Sequence, residues 1–344
     1  MTDPPRIRPL LKRGALVTAA NWPVVAVQFV ADTSFKLLLM VPIAGGALLV
    51  GAAAGGDLRQ LTDGDLRAVV AATMDALTAT PAAQGAFVAA FALVLVGGSV
   101  VMFLVKAGTV TVLAEAEWMA GPVERPPIRL AAVRRADRFT VDRFLTGARQ
   151  LARRYLALGS LLITVYAASG ASYFFLVVTA YRAPGSPAAV VGWTALTLLA
   201  TIGFLAWILA VNLAYLLMQM VLAADGCGVR AAARRVVSFV GRGRHEIAGI
   251  FGVVLALVVL STTASIVAAA GLGLIAFVPV VGLIVLPLQL AAWLLRGILL
   301  QYLGLTALGA YLAQYRAYRR QAGFDPPRPA PASGVEPFPE GRTA

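Results

Sequence analysis

Val229-Arg230-Ala231-Ala232-Ala233-Arg234-Arg235 opens the stretch whose reading decides the fold. Behind this basic motif an apolar run occupies residues 247–275, and a second, 278–314, leads back to Arg316, Arg319 and Arg320. Apolar runs of 18 or more residues are candidate membrane spans. Two of them enclosed by arginines describe a chain that leaves a polar face, crosses a lipid layer and returns.

The rest of the chain repeats this unit. Basic motifs stand at Ile7-Arg8…Lys12-Arg13, Ile128-Arg129…Arg134-Arg135 and Val229-Arg230…Arg234-Arg235, the second being one residue longer. Each is followed by two apolar runs, and the units close on Val112-Leu113-Ala114, Val221-Leu222-Ala223 and Tyr311-Leu312-Ala313. Successive units share one orientation, so the repeat is parallel rather than inverted. The expected fold is all-α: a polytopic integral membrane protein of six transmembrane helices, in three hairpin repeats with amphipathic helices on the inner side.

Composition agrees. Apolar residues make up 60% of the chain and charged residues 13%, against about 25% charged in soluble domains. The net charge of +13 would suggest nucleic acid in a soluble protein. Here the basic residues lie between the apolar runs, and no aromatic stacking platform accompanies them. Nucleic acid is therefore excluded as a partner. Inner segments carry four basic residues before span one, nine in 120–154, five in 225–246 and at least three after span six; outer segments carry two, one and none. The positive-inside rule then places both termini in the cytoplasm. Arg, Ala and Gly usage suggests a bacterial protein of the inner membrane.

Taken in order, residues 1–34 read as a cytoplasmic N-terminus and an interfacial helix. The apolar stretch 24–55 would be ~48 Å long as one helix, more than a ~30 Å core needs. It is expected to divide near residue 34, leaving span one at 35–55. Repeat 1 is 35–119, with an acidic outer loop at 56–85; a ligand role for its aspartates competes with plain solvation. Repeat 2 is 120–225 and repeat 3 is 226–317. The Pro-rich 318–344 is expected to be disordered.

The alternation of arginine-rich amphipathic segments with long apolar pairs resembles the membrane domain associated with bacterial glycerophosphoryl diester phosphodiesterases and its multi-span relatives. The resemblance covers residues 7–316 in pattern, with no diagnostic motif. It implies at most an accessory role beside such an enzyme, because the catalytic barrel would be a separate domain.

Candidate functional residues fall into two groups. Arg134, Arg135, Arg153, Arg154, Arg234 and Arg235 are candidate contacts for anionic lipid headgroups or a cytoplasmic partner. The competing reading is that the arginines of 120–154 only fix topology and pair with Glu124, Asp137 and Asp142. The second group comprises the intramembrane polar residues Gln289, Arg296, Gln301 and Asn212. Arg296, together with Lys36 and Lys106, is expected to snorkel to the inner face. The single histidine, His245, and the single cysteine, Cys227, cannot build a zinc site, and neither a catalytic centre nor a cofactor is expected. The function expected is non-enzymatic. The alternatives are a transport permease or pore subunit, and an accessory domain for a lipid or glycerophosphodiester enzyme. A homo-oligomer is compatible with every reading.

Overall fold

The computed structural model describes residues 7–53, 81–128, 130–181, 187–276, 279–321 and 323. The described residues form eight helices: α1 Ile7–Ala20, α2 Trp22–Ala53, α3 Pro81–Met119, α4 Leu130–Ala136, α5 Val141–Tyr181, α6 Pro187–Asp225, α7 Val229–Ala276 and α8 Pro279–Gln321. Six of them (α2, α3, α5, α6, α7 and α8) are long and apolar enough to cross a membrane. The chain is a multi-pass integral membrane protein of the all-α class.

The three helices that return toward the arginine-rich end share one set of boundary signals. α3, α6 and α8 each begin on a proline (Pro81, Pro187, Pro279), whose missing N–H and fixed φ suit a first helical position. Each is followed by a glycine of positive φ: Gly121 at 61°, Gly226 at 57° and Gly323 at 70°. A left-handed residue just past a helix end turns the chain back and satisfies its last carbonyls; the Gly226 N–H bonds the Leu222 carbonyl at 3.0 Å. These helices are 39, 39 and 43 residues long, or ~58–65 Å. A bilayer core takes ~30 Å of that, so a long part of each projects beyond the lipid.

The outgoing helices are less uniform. In the first unit the chain breaks at Asn21, eight positions after Arg13; in the third, α7 kinks at Gly243 (φ −114°, ψ 28°), eight positions after Arg235. Asn21 is fully buried, and its side chain donates to the Val17 and Ala136 carbonyls and accepts from the Arg138 N–H. It thereby ties the α1–α2 corner to the end of α4. The break expected near residue 34 does not occur: α2 runs unbroken, because Lys36 donates to Asp32 one turn away at 2.6 Å and neither charge forces the helix open. Likewise the inner loop expected at 225–246 shrinks to Gly226, Cys227 and Gly228, with the rest helical in α7. α8 continues to Gln321, past the expected end of the third repeat at 317. The acidic outer segment falls mainly on residues 54–80 and the Pro-rich tail on 324–344; both expectations lie outside the described residues.

Packing closes the three units on one another. α1 lies against the end of α8, the start of α5 against the end of α3, and α7 against α6. Two of these crossings are tight at glycine. A Cβ on Gly14 would stand 2.3 Å from the Thr306 carbonyl oxygen, and one on Gly147 would stand 2.6 Å from Thr111 Cβ. With the unit-end motifs superposed, Thr111 takes the position of Ala310, which also faces Gly14. The start of α5 therefore does for the second unit what α1 does for the first. The Arg134–Arg135 motif sits on the separate short helix α4, and is not the packing counterpart of Lys12–Arg13.

The large side chains that are fully buried belong to this end: Val17, Leu113, Tyr155, Met220, Leu222, Phe239, Ile250 and Tyr311 among them. The most apolar windows of the six spans are only 0 to 17% buried. The chain's core is assembled at the arginine-rich ends of the helices, largely outside their most apolar windows.

Candidate functional site

Two buried carboxylates organise the arginine-rich end. Glu117, near the end of α3, keeps 4% of its side chain exposed. Arg13 of α1 donates through Nε to both its oxygens at 2.8 Å and through Nη1 to Glu124 at 2.8 Å. Arg316 of α8 donates to the Glu117 carbonyl at 3.0 Å and stacks over Trp118, 4.4 Å from the ring centroid. Burial works to lower the Arg13 pKa, but Glu117 and Glu124 outweigh it and hold the guanidinium above its ordinary value.

Asp225 closes α6 and keeps 2% of its side chain exposed. It receives Arg235 of α7, Arg319 of α8 and the Tyr315 hydroxyl at 2.6 Å. Both carboxylates are reached from the third unit, since Arg316 and Arg319 lie one turn apart on α8. The first, second and third units are thus joined through two anions. Removing one member of such a buried set strands its partners, at a cost of about 3–5 kcal/mol. All four carboxylate oxygens of the clamp are engaged, while Arg316 Nε is buried without a hydrogen-bond partner.

This reassigns several sequence candidates. Arg235 is a clamp residue. Arg134, Arg135, Arg153 and Arg234 are exposed and make no ion pair among the described residues. Arg154 is half-buried, and a Cβ on Gly226 would lie 3.5 Å from its guanidinium. The pairing expected within 120–154 does not form: Glu124 goes to Arg13, while Asp137 and Asp142 make no ion pair among the described residues. Large apolar side chains stand exposed beside the free arginines, with Leu130 71%, Val141 62% and Val237 72% exposed.

Within the spans the polar candidates separate. Asn212 accepts from the Tyr166 hydroxyl at 2.7 Å. Trp207 donates to Ser169 at 2.9 Å, and Tyr173 and Thr201 share a bond of 2.7 Å. This ladder joins α5 to α6 beside an open groove of about 480 Å3. Gln289 and Gln301 are half-buried. Lys36 keeps 64% of its side chain exposed and pairs with Asp32 at 2.6 Å. Lys106 and Arg296 are less exposed than Lys36. The Lys106 amine sits 5.1 Å above the Tyr215 ring, between α3 and α6, and Arg296 Nε is buried without a partner. Lys106 therefore faces α6, a setting in which an unpaired charge is costly within a membrane.

His245 is exposed. Burial pushes the Cys227 thiol up, so it stays protonated at neutral pH and is a poor nucleophile. Among the described residues no three His, Cys, Asp or Glu side chains gather to hold a metal. Sequence reasoning missed the clamp, although a signal was present: Glu117 and Asp225 follow the unit-end motifs by similar intervals. Comparison of the chain with protein-family models, curated proteins and solved structures finds no match.

Proposed function

We propose that this is a non-enzymatic protein of a bacterial inner membrane that binds anionic phospholipid headgroups through the arginine-rich end of its bundle, held on the cytoplasmic side. The observation carrying this reading is the division of labour among the arginines. The buried acids take Arg13, Arg235, Arg316 and Arg319, which leaves Arg134, Arg135, Arg153 and Arg234 exposed without carboxylate partners among the described residues. Exposed Leu130, Val141, Leu145 and Val237 stand among them. Free cations beside exposed apolar side chains suit a helix face lying at a headgroup layer. Each such cation contributes about 1 kcal/mol of attraction to an anionic leaflet, screened by salt.

The test is the lipid retained after mild detergent extraction, counted by mass spectrometry. Changing Arg134, Arg135, Arg153 and Arg234 together to Gln removes four of the free charges without touching the clamp. The folded variant should retain several-fold less phosphatidylglycerol relative to phosphatidylethanolamine, and the wild-type excess should shrink at high salt. An unchanged lipid ratio contradicts the reading.

A further inference from the structure

The kink at Gly243 borders a cavity of about 320 Å3 between α7 and the end of α8. Phe239, Arg242, Gly243 and Glu246 line it from α7, and Gln314 and Tyr318 from α8. Its volume falls at the lower end of the range for small-molecule sites, about 300–1,000 Å3. Arg242 and Gln321 at its edge are exposed, so water reaches it. On α8, Gln314 lies ~22 Å beyond Leu299 as a helix runs, with the buried positions 305–313 between them. Leu299 is 42% exposed and belongs to the spans. The cavity therefore stands on the aqueous side of the core.

Three polar groups around this cavity lack the partners their positions would ordinarily give them. Arg242 and Glu246 are four residues apart, the spacing at which opposite charges pair on a regular helix. The non-helical backbone of Gly243 (φ −114°, ψ 28°) falls between them, and neither makes an ion pair among the described residues. Arg242 turns to Tyr318 instead: its guanidinium lies 5.6 Å from the ring centroid, and Nη1 donates to the hydroxyl at 3.4 Å. Gln314 is 5% exposed, and its Oε1 is buried with no hydrogen-bond partner. Buried polar atoms without partners are uncommon in native proteins and call for an explanation. Gln314 Nε2 and Glu246 Oε2 lie 3.2 and 3.7 Å from the point where a Cβ on Gly243 would stand. The glycine thus lets the amide and the carboxylate converge on one spot.

We propose that this cavity binds a small water-borne zwitterion: a primary ammonium joined through a short carbon chain to a phosphate or carboxylate. The Glu246 carboxylate and the Gln314 Oε1 are acceptors, and an ammonium carries three N–H donors to share between them. The Arg242 guanidinium takes the anionic group at the mouth, through the donors it does not spend on Tyr318. The Phe239 ring walls the cavity beside the carbon chain. Neither charge alone suits the site, because a free anion meets Glu246 and a lone cation meets Arg242. The site uses none of the exposed arginines assigned to lipid and neither acid of the clamp.

The experiment is isothermal titration calorimetry on the whole purified protein in detergent, with phosphoethanolamine, glycine and short-chain phosphatidylethanolamine as ligands. Ethanolamine, inorganic phosphate and phosphocholine, whose quaternary nitrogen has no N–H to donate, are the controls. The proposal expects saturable binding of phosphoethanolamine or glycine, at least about tenfold tighter than any control. Binding of phosphoethanolamine alone assigns the anion as phosphate, and of glycine alone as carboxylate. Binding of the lipid but of neither free zwitterion contradicts a water-borne ligand. No binding of any of the three, or a control that binds equally well, overturns the proposal. Glu246→Gln and Arg242→Gln should each weaken the bound zwitterion about tenfold or more, and should leave the retained phosphatidylglycerol of the wild type unchanged. Unaltered affinity in both folded variants overturns the site. Should the variants fail to fold, hydrogen exchange on the wild-type protein decides. Ligand-dependent protection of residues 239–246 and 314–321 supports the site, and protection confined to other segments overturns it.

Discussion

The arginine-rich end and the outer halves of the spans are built from the same helices yet held together differently. At the arginine-rich end Tyr155, Phe239, Leu222 and Tyr311 are buried nearly completely. In the spans Phe175 is 70% exposed and Leu93 75%. In water, removing a Leu or Phe side chain from solvent contributes about 1.5–3 kcal/mol. In lipid that gain vanishes, because acyl chains are as apolar as leucine, and helices associate through close packing and hydrogen bonds. Cohesion is therefore concentrated where the helices project into water, and the spans need only remain long and apolar.

The largest expected effect tests the clamp. Asp225→Ala leaves Arg235, Arg319 and Tyr315 without their shared acceptor, and should cost about 3–5 kcal/mol. Thermal unfolding in detergent should show a fall of several degrees or loss of a folded transition. Thr201→Ala, in the α5–α6 ladder, is the paired control from the spans and should cost about 0.6 kcal/mol.

Close approach of backbones comes next. Gly14→Val forces a side chain into the Thr306 carbonyl, and should cost about 1–3 kcal/mol while loosening α1 from α8. Faster hydrogen exchange across residues 7–20 would register the loosening. Gly203→Ala meets no atom within 4 Å and should leave both stability and exchange unaltered.

Smaller still is a single buried hydroxyl. Tyr311→Phe removes a 3.3 Å bond to the Ile247 carbonyl and should cost about 1 kcal/mol, measured by the same unfolding assay. Leu199→Ala, at a position 69% exposed within span α6, should move the transition by less than about 0.5 kcal/mol. A comparable loss at both positions would erase the proposed difference between the two regions.

The six spans were legible because lipid imposes a length and a composition on any helix that crosses it, and runs such as 247–275 meet both. The three-unit plan was legible in part. The arginine motifs marked the first and third units, but in the second unit they pointed to α4, whereas packing gives the α1 role to the start of α5. The prolines at 81, 187 and 279 and the glycines at 121, 226 and 323 are a cleaner register, readable in sequence once helix starts and stops are sought together. Of the clamp only the acids were legible, from their similar spacing after the unit-end motifs; their partners were not, since Arg13 meets Glu117 across 104 positions and Arg319 meets Asp225 across 94, and no local pattern pairs residues so distant. Depth counting placed Lys106 and Arg296 near the inner side, but the side of the helix they occupy depends on which neighbour packs there. That is why snorkelling was expected for Lys106, which faces α6.

Two tryptophans separate the two regions most directly. Trp118 lies in the bundle at the arginine-rich end under Arg316, and Trp207 is 52% exposed in span α6. Single-tryptophan variants retaining one or the other can be placed in bilayers whose acyl chains carry bromine, a short-range quencher. Strong quenching of Trp207 with Trp118 left bright is the expected result; equal quenching of both would mean that the buried core lies in lipid and would contradict the account.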